Sequence, residues 1–408
     1  MNLLLSAYAC RPNIGSEPAV GWKWAIELSK YCNVTVLTNY TNEPYIRKHL
    51  SDISLSNINF VYVKPNMKTE LWYKEWQSFE RLYYMLWQRK AVKVARDLMK
   101  SKKFDCVQHI TYVSCVMPTY MYKLNLPFVY GPVSGGEAIP SIINYPLTKK
   151  EKLIELIRQC NQVFASKSIY FRKACKKSKY IITTTEETKK LISPEYHDKT
   201  KIEQAIGLNK KDIRENIKTT FNDTLKFLIA GRMLSWKGFK IALEAFVEAL
   251  DSGVDASLTI LGSGNEDFNL NLQKLSGNYL NKKIKFVKSV PYNEMNSFYD
   301  KHDILINCSL RDSGCLVVME AMGRGLPIIC IDTGGPKVNT CSGGAIKIQP
   351  QKYDELKKDL IKSIIQICND KQMISKLSQE GLVVAKEEFE FESKVKSFYE
   401  KYLQENNK

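Results

Sequence analysis

Short apolar runs alternate with longer amphipathic stretches along nearly the whole of this chain, and that alternation narrows its fold more than any other feature. One series of runs lies at 2–7, 34–38, 60–63, 106–110, 128–130 and 180–184, and a second at 225–230, 256–261, 283–287, 304–308 and 327–331. Runs this short, separated by helix-length segments, read as repeated βα units and predict parallel sheets covered by helices on both faces. Between the two series, residues 193–220 are polar and poor in periodicity, with Gly207 as a natural linker point. The chain therefore divides into an N-terminal domain over 1–206 and a C-terminal domain over 207–391. A last helix over about 392–404 follows the stretch EEFEFE. The fold class is α/β, with two doubly wound, Rossmann-like parallel-sheet domains; ligands of such sheets bind at the carboxyl ends of the strands, where the strand order reverses.

At 408 residues the chain exceeds one ordinary core, and 44% hydrophobic with 25% charged residues excludes wholesale disorder. No apolar run approaches the length of a membrane-spanning helix. The opening MNLLLSAYAC lacks a basic leader and reads as a first strand. Eleven cysteines form no CxxC and do not gather with the four histidines, so reduced thiols in a cytoplasmic setting are expected, and no structural metal. The net charge of +17 is uneven: residues 1–205 hold 31 Lys and Arg against 17 Asp and Glu. A basic N-terminal half points to an anionic partner.

The stretch SLRDSGCLVVMEAMGRGLPIICIDTGGP, 309–336, concentrates chemistry. Asp312 precedes a turn at Ser313 and Gly314, and an apolar run after it opens a helix carrying Glu320. The unpaired amides of such a helix start accept an anion, and two carboxylates nearby accept bonds from sugar or ribose hydroxyls. A buried βα turn with a capping Asp and a solvated Glu fits the same spacing equally well. After the run at 225–230 comes GRMLSWKGF, where Gly231 admits close backbone approach and Arg232 and Lys237 can neutralise a diphosphate. The next run ends in LGSGNED; Gly262 and Gly264 form only a partial dinucleotide fingerprint, because Asp267 occupies the third glycine position.

These segments resemble the nucleotide-sugar site of retaining GT-B glycosyltransferases of family 4, whose pattern is an acidic residue, seven others and Glu. Here it takes the form Asp312-x7-Glu320, with Asp where most members carry Glu. The resemblance implies two domains facing a central cleft, the last helix packing back on the first domain. It places Arg232 and Lys237 on the donor diphosphate, Glu320 on the ribose, and Asp312 with the amides of Gly314, Cys315 and Leu316 on the sugar and phosphate. It also puts the turns at Gly231, Gly262 and Gly264 beside the nucleotide, Val290 at the base, and Gly15 and Ser16 in a glycine loop against the cleft. His109, ending the run FDCVQHI, is assigned to positioning the acceptor, although a lone histidine there also suits a purely structural role. The loop GPVSGGE at 131–137 resembles a bacterial surface-polysaccharide branch.

The activity implied is hexosyl transfer from a UDP- or GDP-sugar to a hydroxyl of a glycan or lipid-linked acceptor, in polysaccharide biosynthesis. No cofactor is expected beyond the donor itself, and the absence of any Asp-x-Asp triplet predicts metal independence. A sugar-nucleotide epimerase of the same architecture and a non-catalytic partner subunit remain as alternatives. Nucleic acid is not an expected partner, since the basic residues form no recognised module. An anionic membrane surface is one. Residues 71–103 carry a helical stripe of Trp72, Trp76, Phe79, Tyr83, Trp87, Val94 and Leu98 with a basic flank, and Lys149–Lys179 adds charge. The same stripe equally suits a helix packed on its own sheet. The expected location is the cytoplasm, at the inner face of the cell membrane.

Overall fold

A computed structural model describes residues 1–13, 17–50, 56–65, 80–218 and 224–404. The chain separates into two compact units. One comprises Met1–Gly136, Ile157–Ala205 and Glu392–Lys408, and the other Glu137–Leu156 and Ile206–Phe391.

The first unit carries a seven-stranded parallel sheet of β1 (Asn2–Ser6), β2 (Asn33–Asn39), β3 (Ile58–Val63), β4 (Cys106–His109), β5 (Phe128–Val133), β6 (Tyr180–Thr183) and β7 (Thr200–Ile202). Their spatial order is β3-β2-β1-β4-β5-β6-β7, so the winding reverses between β1 and β4. The described part of the aromatic stripe belongs to the helix Glu80–Leu98, in which Tyr83, Tyr84, Trp87, Ala91, Val92 and Ala95 are buried. Val94 and Leu98 pack on the same core. Over these residues the stripe is core rather than a membrane face; Trp72, Trp76 and Phe79 lie outside the described residues. The last helix, Phe391–Phe398, contributes Phe398 edge-on to Trp24, and beyond it the Tyr402 hydroxyl donates to Glu203 at 2.5 Å.

The second unit carries six parallel strands: β8 (Leu225–Ala230), β9 (Ala256–Leu261), β10 (Ile284–Val287), β11 (Ile304–Asn307), β12 (Ile328–Ile331) and β13 (Ala345–Ile348). Their order is β10-β9-β8-β11-β12-β13, so its reversal falls between β8 and β11. Successive side chains point to opposite faces, and both faces of this sheet are covered, so the strands are apolar on both. Leu225, Phe227 and Ile229 enter one core with the helices Phe239–Asp251 and Tyr353–Asn369. Leu228 and Ala230 enter the other with the helix Leu316–Gly323. The chain enters and leaves this unit side by side, with Leu208 donating to the Phe389 carbonyl at 2.7 Å and Phe391 to the Leu208 carbonyl at 2.8 Å.

Two edge strands, β7 and β13, are absent from the runs read in the sequence. Each has three or four residues, includes a lysine and is paired on one side only, so neither produces a continuous apolar run.

Candidate active site at the strand reversal of the second sheet

The carboxyl ends of β8 and β11 are neighbours, and the residues picked out at 231–238 and 312–320 follow directly from them. After β8 the backbone turns at Gly231, whose φ of +144° lies in the region glycine favours and whose Cα faces open space. Arg232 is exposed and, among the described residues, forms no ion pair. A single 3-10 turn, Ser235–Lys237, then brings Lys237 back over the strand end. Gly238 follows with φ +69°, and a side chain there would also run into the Cys308 carbonyl just past β11.

Lys237 and Asp312 form an ion pair whose side chains are only 20% and 16% exposed. Three contacts hold the two loops that carry them. Leu310 donates its amide to the Trp236 carbonyl at 2.9 Å. The Arg311 guanidinium lies 4.3 Å over the Trp236 ring, and it also pairs with Glu155. No motif marks Trp236, Arg311 or Glu155, because each acts by fixing a loop.

The other Asp312 oxygen accepts from the Cys315 amide at 3.3 Å, so Asp312 holds the turn that leads into the Leu316–Gly323 helix while pairing with Lys237. This corrects one expectation: the Cys315 amide is spent on Asp312 rather than open to a ligand. Cys315 itself has φ +48°, and its side chain is buried. Burial first, and then the neighbouring Asp312, push its thiol well above the ordinary range, so it stays neutral. Leu316 is exposed at the helix start and Gly314 is part-buried beside it. The loop rests on the segment 333–336: Gly335 donates to the Asp312 carbonyl at 2.7 Å, and a side chain at Gly334 would meet that same oxygen at 2.5 Å. Asn339 donates to the Gly314 carbonyl at 2.9 Å and the Cys315 carbonyl at 3.2 Å. No motif marks Asn339, since its role is visible only once the loop closes over it.

Glu320, about one turn into the helix, accepts from the buried Tyr299 hydroxyl at 2.8 Å. Burial and Glu320 together hold that phenol well above its ordinary pKa, so Tyr299 is a fixed donor that orients the carboxylate. Gly262 and Gly264 are explained by packing: side chains there would strike the Gly231 and Met233 carbonyls, which ties the loop after β9 to the loop after β8. Val290 is part-buried and, like Val287, Met295 and Phe298, packs against the core that contains Tyr299, while Ser289 beside it is exposed.

In the first unit, His109 ends β4 opposite Ser6 of β1, at that sheet's reversal. It is 0% exposed; one ring nitrogen meets the Ser6 hydroxyl at 2.9 Å and the other the Tyr84 hydroxyl at 2.9 Å. Burial lowers its pKa to about 3. The expectation that His109 positions an acceptor is therefore corrected: it is a neutral core histidine with both nitrogens engaged. Gly15 and Ser16 lie outside the described residues.

Residues 210–381 match the family model described as glycosyl transferases group 1. That segment falls in the second unit, and over it the chain is similar to the group 1 glycosyltransferases. The chain is 27% identical over 241 residues to an uncharacterized glycosyltransferase of Methanocaldococcus jannaschii, covering 53% of this chain and 60% of that protein. It is 24% identical over 215 residues to an uncharacterized glycosyltransferase of Haemophilus influenzae, covering 51% and 56%. The matched stretch thus spans little more than half the length of these relatives. Among solved structures, a glycosyltransferase from Rickettsia africae aligns with a TM-score of 0.63 at 16% identity, covering 100% of this chain and 98% of the other. Anabaena HepE in complex with UDP and glucose aligns with a TM-score of 0.59 at 13% identity, covering 98% of each. At such identities the shared property is the fold, two parallel Rossmann-like sheets of the GT-B class.

Proposed function

We propose that this chain is a retaining group 1 glycosyltransferase. It moves a hexosyl group from a UDP- or GDP-sugar to a hydroxyl of a glycan or lipid-linked acceptor, in the assembly of a surface polysaccharide. The observation that carries this reading is the Lys237–Asp312 pair, seated with exposed Arg232 where the carboxyl ends of β8 and β11 meet. Two cations at the strand reversal suit a diphosphate: Lys237 as a point charge, Arg232 as a planar fork. Glu320, oriented by Tyr299, suits the ribose hydroxyls. Asp312 faces the donor sugar. The UDP and glucose bound by Anabaena HepE are the chemistry such a fold accommodates in another member.

In the reaction, the bond between the anomeric carbon and the phosphate oxygen breaks while the acceptor oxygen bonds to that carbon on the same face. The acceptor proton passes to the departing phosphate oxygen. Negative charge grows on the diphosphate as the bond breaks, and cations already in place stabilise it most at that moment. The charge compensation lies with Arg232 and Lys237, so no divalent metal is required. The eleven free cysteines fit a reducing, cytoplasmic setting.

The test is to find the donor by thermal shift across UDP- and GDP-sugars, then follow the reaction by NMR with a hydroxyl acceptor. Nucleoside diphosphate together with a glycoside of unchanged anomeric configuration is expected. An inverted glycoside would overturn retention, and an epimerised donor without glycoside would overturn transfer.

A further inference from the structure

The helix Lys149–Ser166 is inside out. On a helical projection Leu153, Leu156, Ile157, Cys160, Val163 and Phe164 share one face, and all are exposed, Leu156 at 57% and Phe164 at 73%. Its opposite face is polar and buried. Glu155, 8% exposed, receives Arg311 and the Ile139 amide. Gln162, 6% exposed, donates to the Gly135 carbonyl at 2.7 Å. The polar face is therefore anchored by specific bonds, so the helix cannot roll to bury its apolar side without breaking them. Ile169 follows directly and is 67% exposed.

Charge says what covers this face. Residues 149–179 hold ten Lys and Arg against two acidic residues, Glu151 and Glu155. Of the two acids, Glu155 is buried against Arg311, and Glu151, held by the Thr148 amide and hydroxyl at 2.8 Å, offsets one of the ten cations. Lys149, Lys150 and Lys152 are exposed beside the apolar face. An apolar stripe flanked by lysines lies in the plane of a lipid interface, its side chains among the acyl chains and its ammonium groups among anionic headgroups. A second copy of the chain is disfavoured, because a twofold contact would set one strongly basic segment against another. No described helix is long and apolar enough to cross a membrane.

We propose that the outward face of the Lys149–Ser166 helix docks on an anionic lipid surface. This stands apart from the glycosyl-transfer reading, since none of the side chains on that outward face is placed at the donor site.

The test is co-sedimentation of the full chain with vesicles of phosphatidylcholine alone or mixed with phosphatidylglycerol. The wild type is expected to sediment with the mixed vesicles and only weakly with the neutral ones, with binding falling as salt is raised. Leu153→Gln/Leu156→Gln/Phe164→Gln removes exposed apolar surface only, and its melting temperature should stay close to wild type. Its partition onto mixed vesicles should drop about tenfold or more, and Lys149→Gln/Lys150→Gln/Lys152→Gln should lose a similar factor with fold intact. Equal binding to both vesicle types would overturn the electrostatic part. Wild-type partition of the apolar variant would overturn the site. A wild-type dimer that ignores vesicles and dissociates in the apolar variant would assign the face to self-association instead.

Discussion

Replacing Lys237 by alanine tests the proposed mechanism most directly, and the structure separates two consequences of the change. One is structural. Asp312 is only 16% exposed and keeps a single amide bond, from Cys315, once its cation is gone. Stranding a mostly desolvated carboxylate costs roughly 1–3 kcal/mol, below the cost of breaking a fully buried pair because the site retains some solvent contact. The other is chemical. Loss of one preorganised charge-stabilising group at a developing anion lowers turnover by about 10²–10³, or roughly 3–4 kcal/mol. The double variant Lys237→Ala/Asp312→Asn distinguishes them, since it removes the stranded charge and should recover most of the lost melting temperature. Turnover should stay low in it, because the cation is still missing. The assay is nucleoside diphosphate release with the identified donor, beside thermal denaturation of the three proteins. A Lys237→Ala enzyme with near wild-type turnover, or a double variant that regains turnover together with stability, would show that Lys237 only balances Asp312.

Further predictions concern other groups. Glu320→Ala should weaken binding of the nucleoside diphosphate by about 1.5–3 kcal/mol, the scale of a hydrogen bond to a charged group, measured by calorimetry; unchanged affinity removes Glu320 from the ribose. Tyr299→Phe should cost less, because the carboxylate survives and loses only its orienting partner. His109, whose pKa is lowered by burial to about 3, is neutral when folded but takes a proton when unfolded below its ordinary value near 6.5. Its contribution is therefore fully present above about pH 6.5 and is lost as pH falls toward 3, by roughly 5 kcal/mol at most. The melting temperature of His109→Gln should accordingly fall less steeply than that of wild type across that window, and parallel curves would refute the assignment. Exhaustive treatment with EDTA should leave turnover intact; loss of activity restored by a divalent cation would contradict the metal-independent reading.

The central strands were legible because both their faces are buried. Leu225, Phe227 and Ile229 serve one core while Leu228 and Ala230 serve the other, so the run stays apolar and stands out against amphipathic helices. The edge strands β7 and β13 were not, because one paired side and a lysine in each leave too little apolar signal. Lys237 and Asp312 were legible as residues of a motif, but their ion pair was not. It depends on Trp236, Arg311 and Glu155, which come from three separate segments and carry no pattern along the chain. The glycines at 262 and 264 were visible for a different reason from the one that holds them: the Gly231 and Met233 carbonyls occupy the space a side chain would need.

Periodicity reveals that a helix has an apolar face, but not which way that face turns, and the two helices weighed for membrane contact show what decides it. In Glu80–Leu98 the aromatic stripe faces the sheet, where Trp87 and Tyr84 are fully buried and the basic residues are left outside. In Lys149–Ser166 a pattern of the same kind points outward, because Glu155 and Gln162 on the far side have partners inside the protein. The apolar surface gained by rolling the helix inward would be set against two stranded buried polar groups, a charge among them, and the loss of a bonded buried charge outweighs the burial of a few aliphatic side chains. The partners that fix the orientation, Arg311 and the Gly135 carbonyl, lie far from the helix in sequence. That distance is why the outward face could be found only in three dimensions.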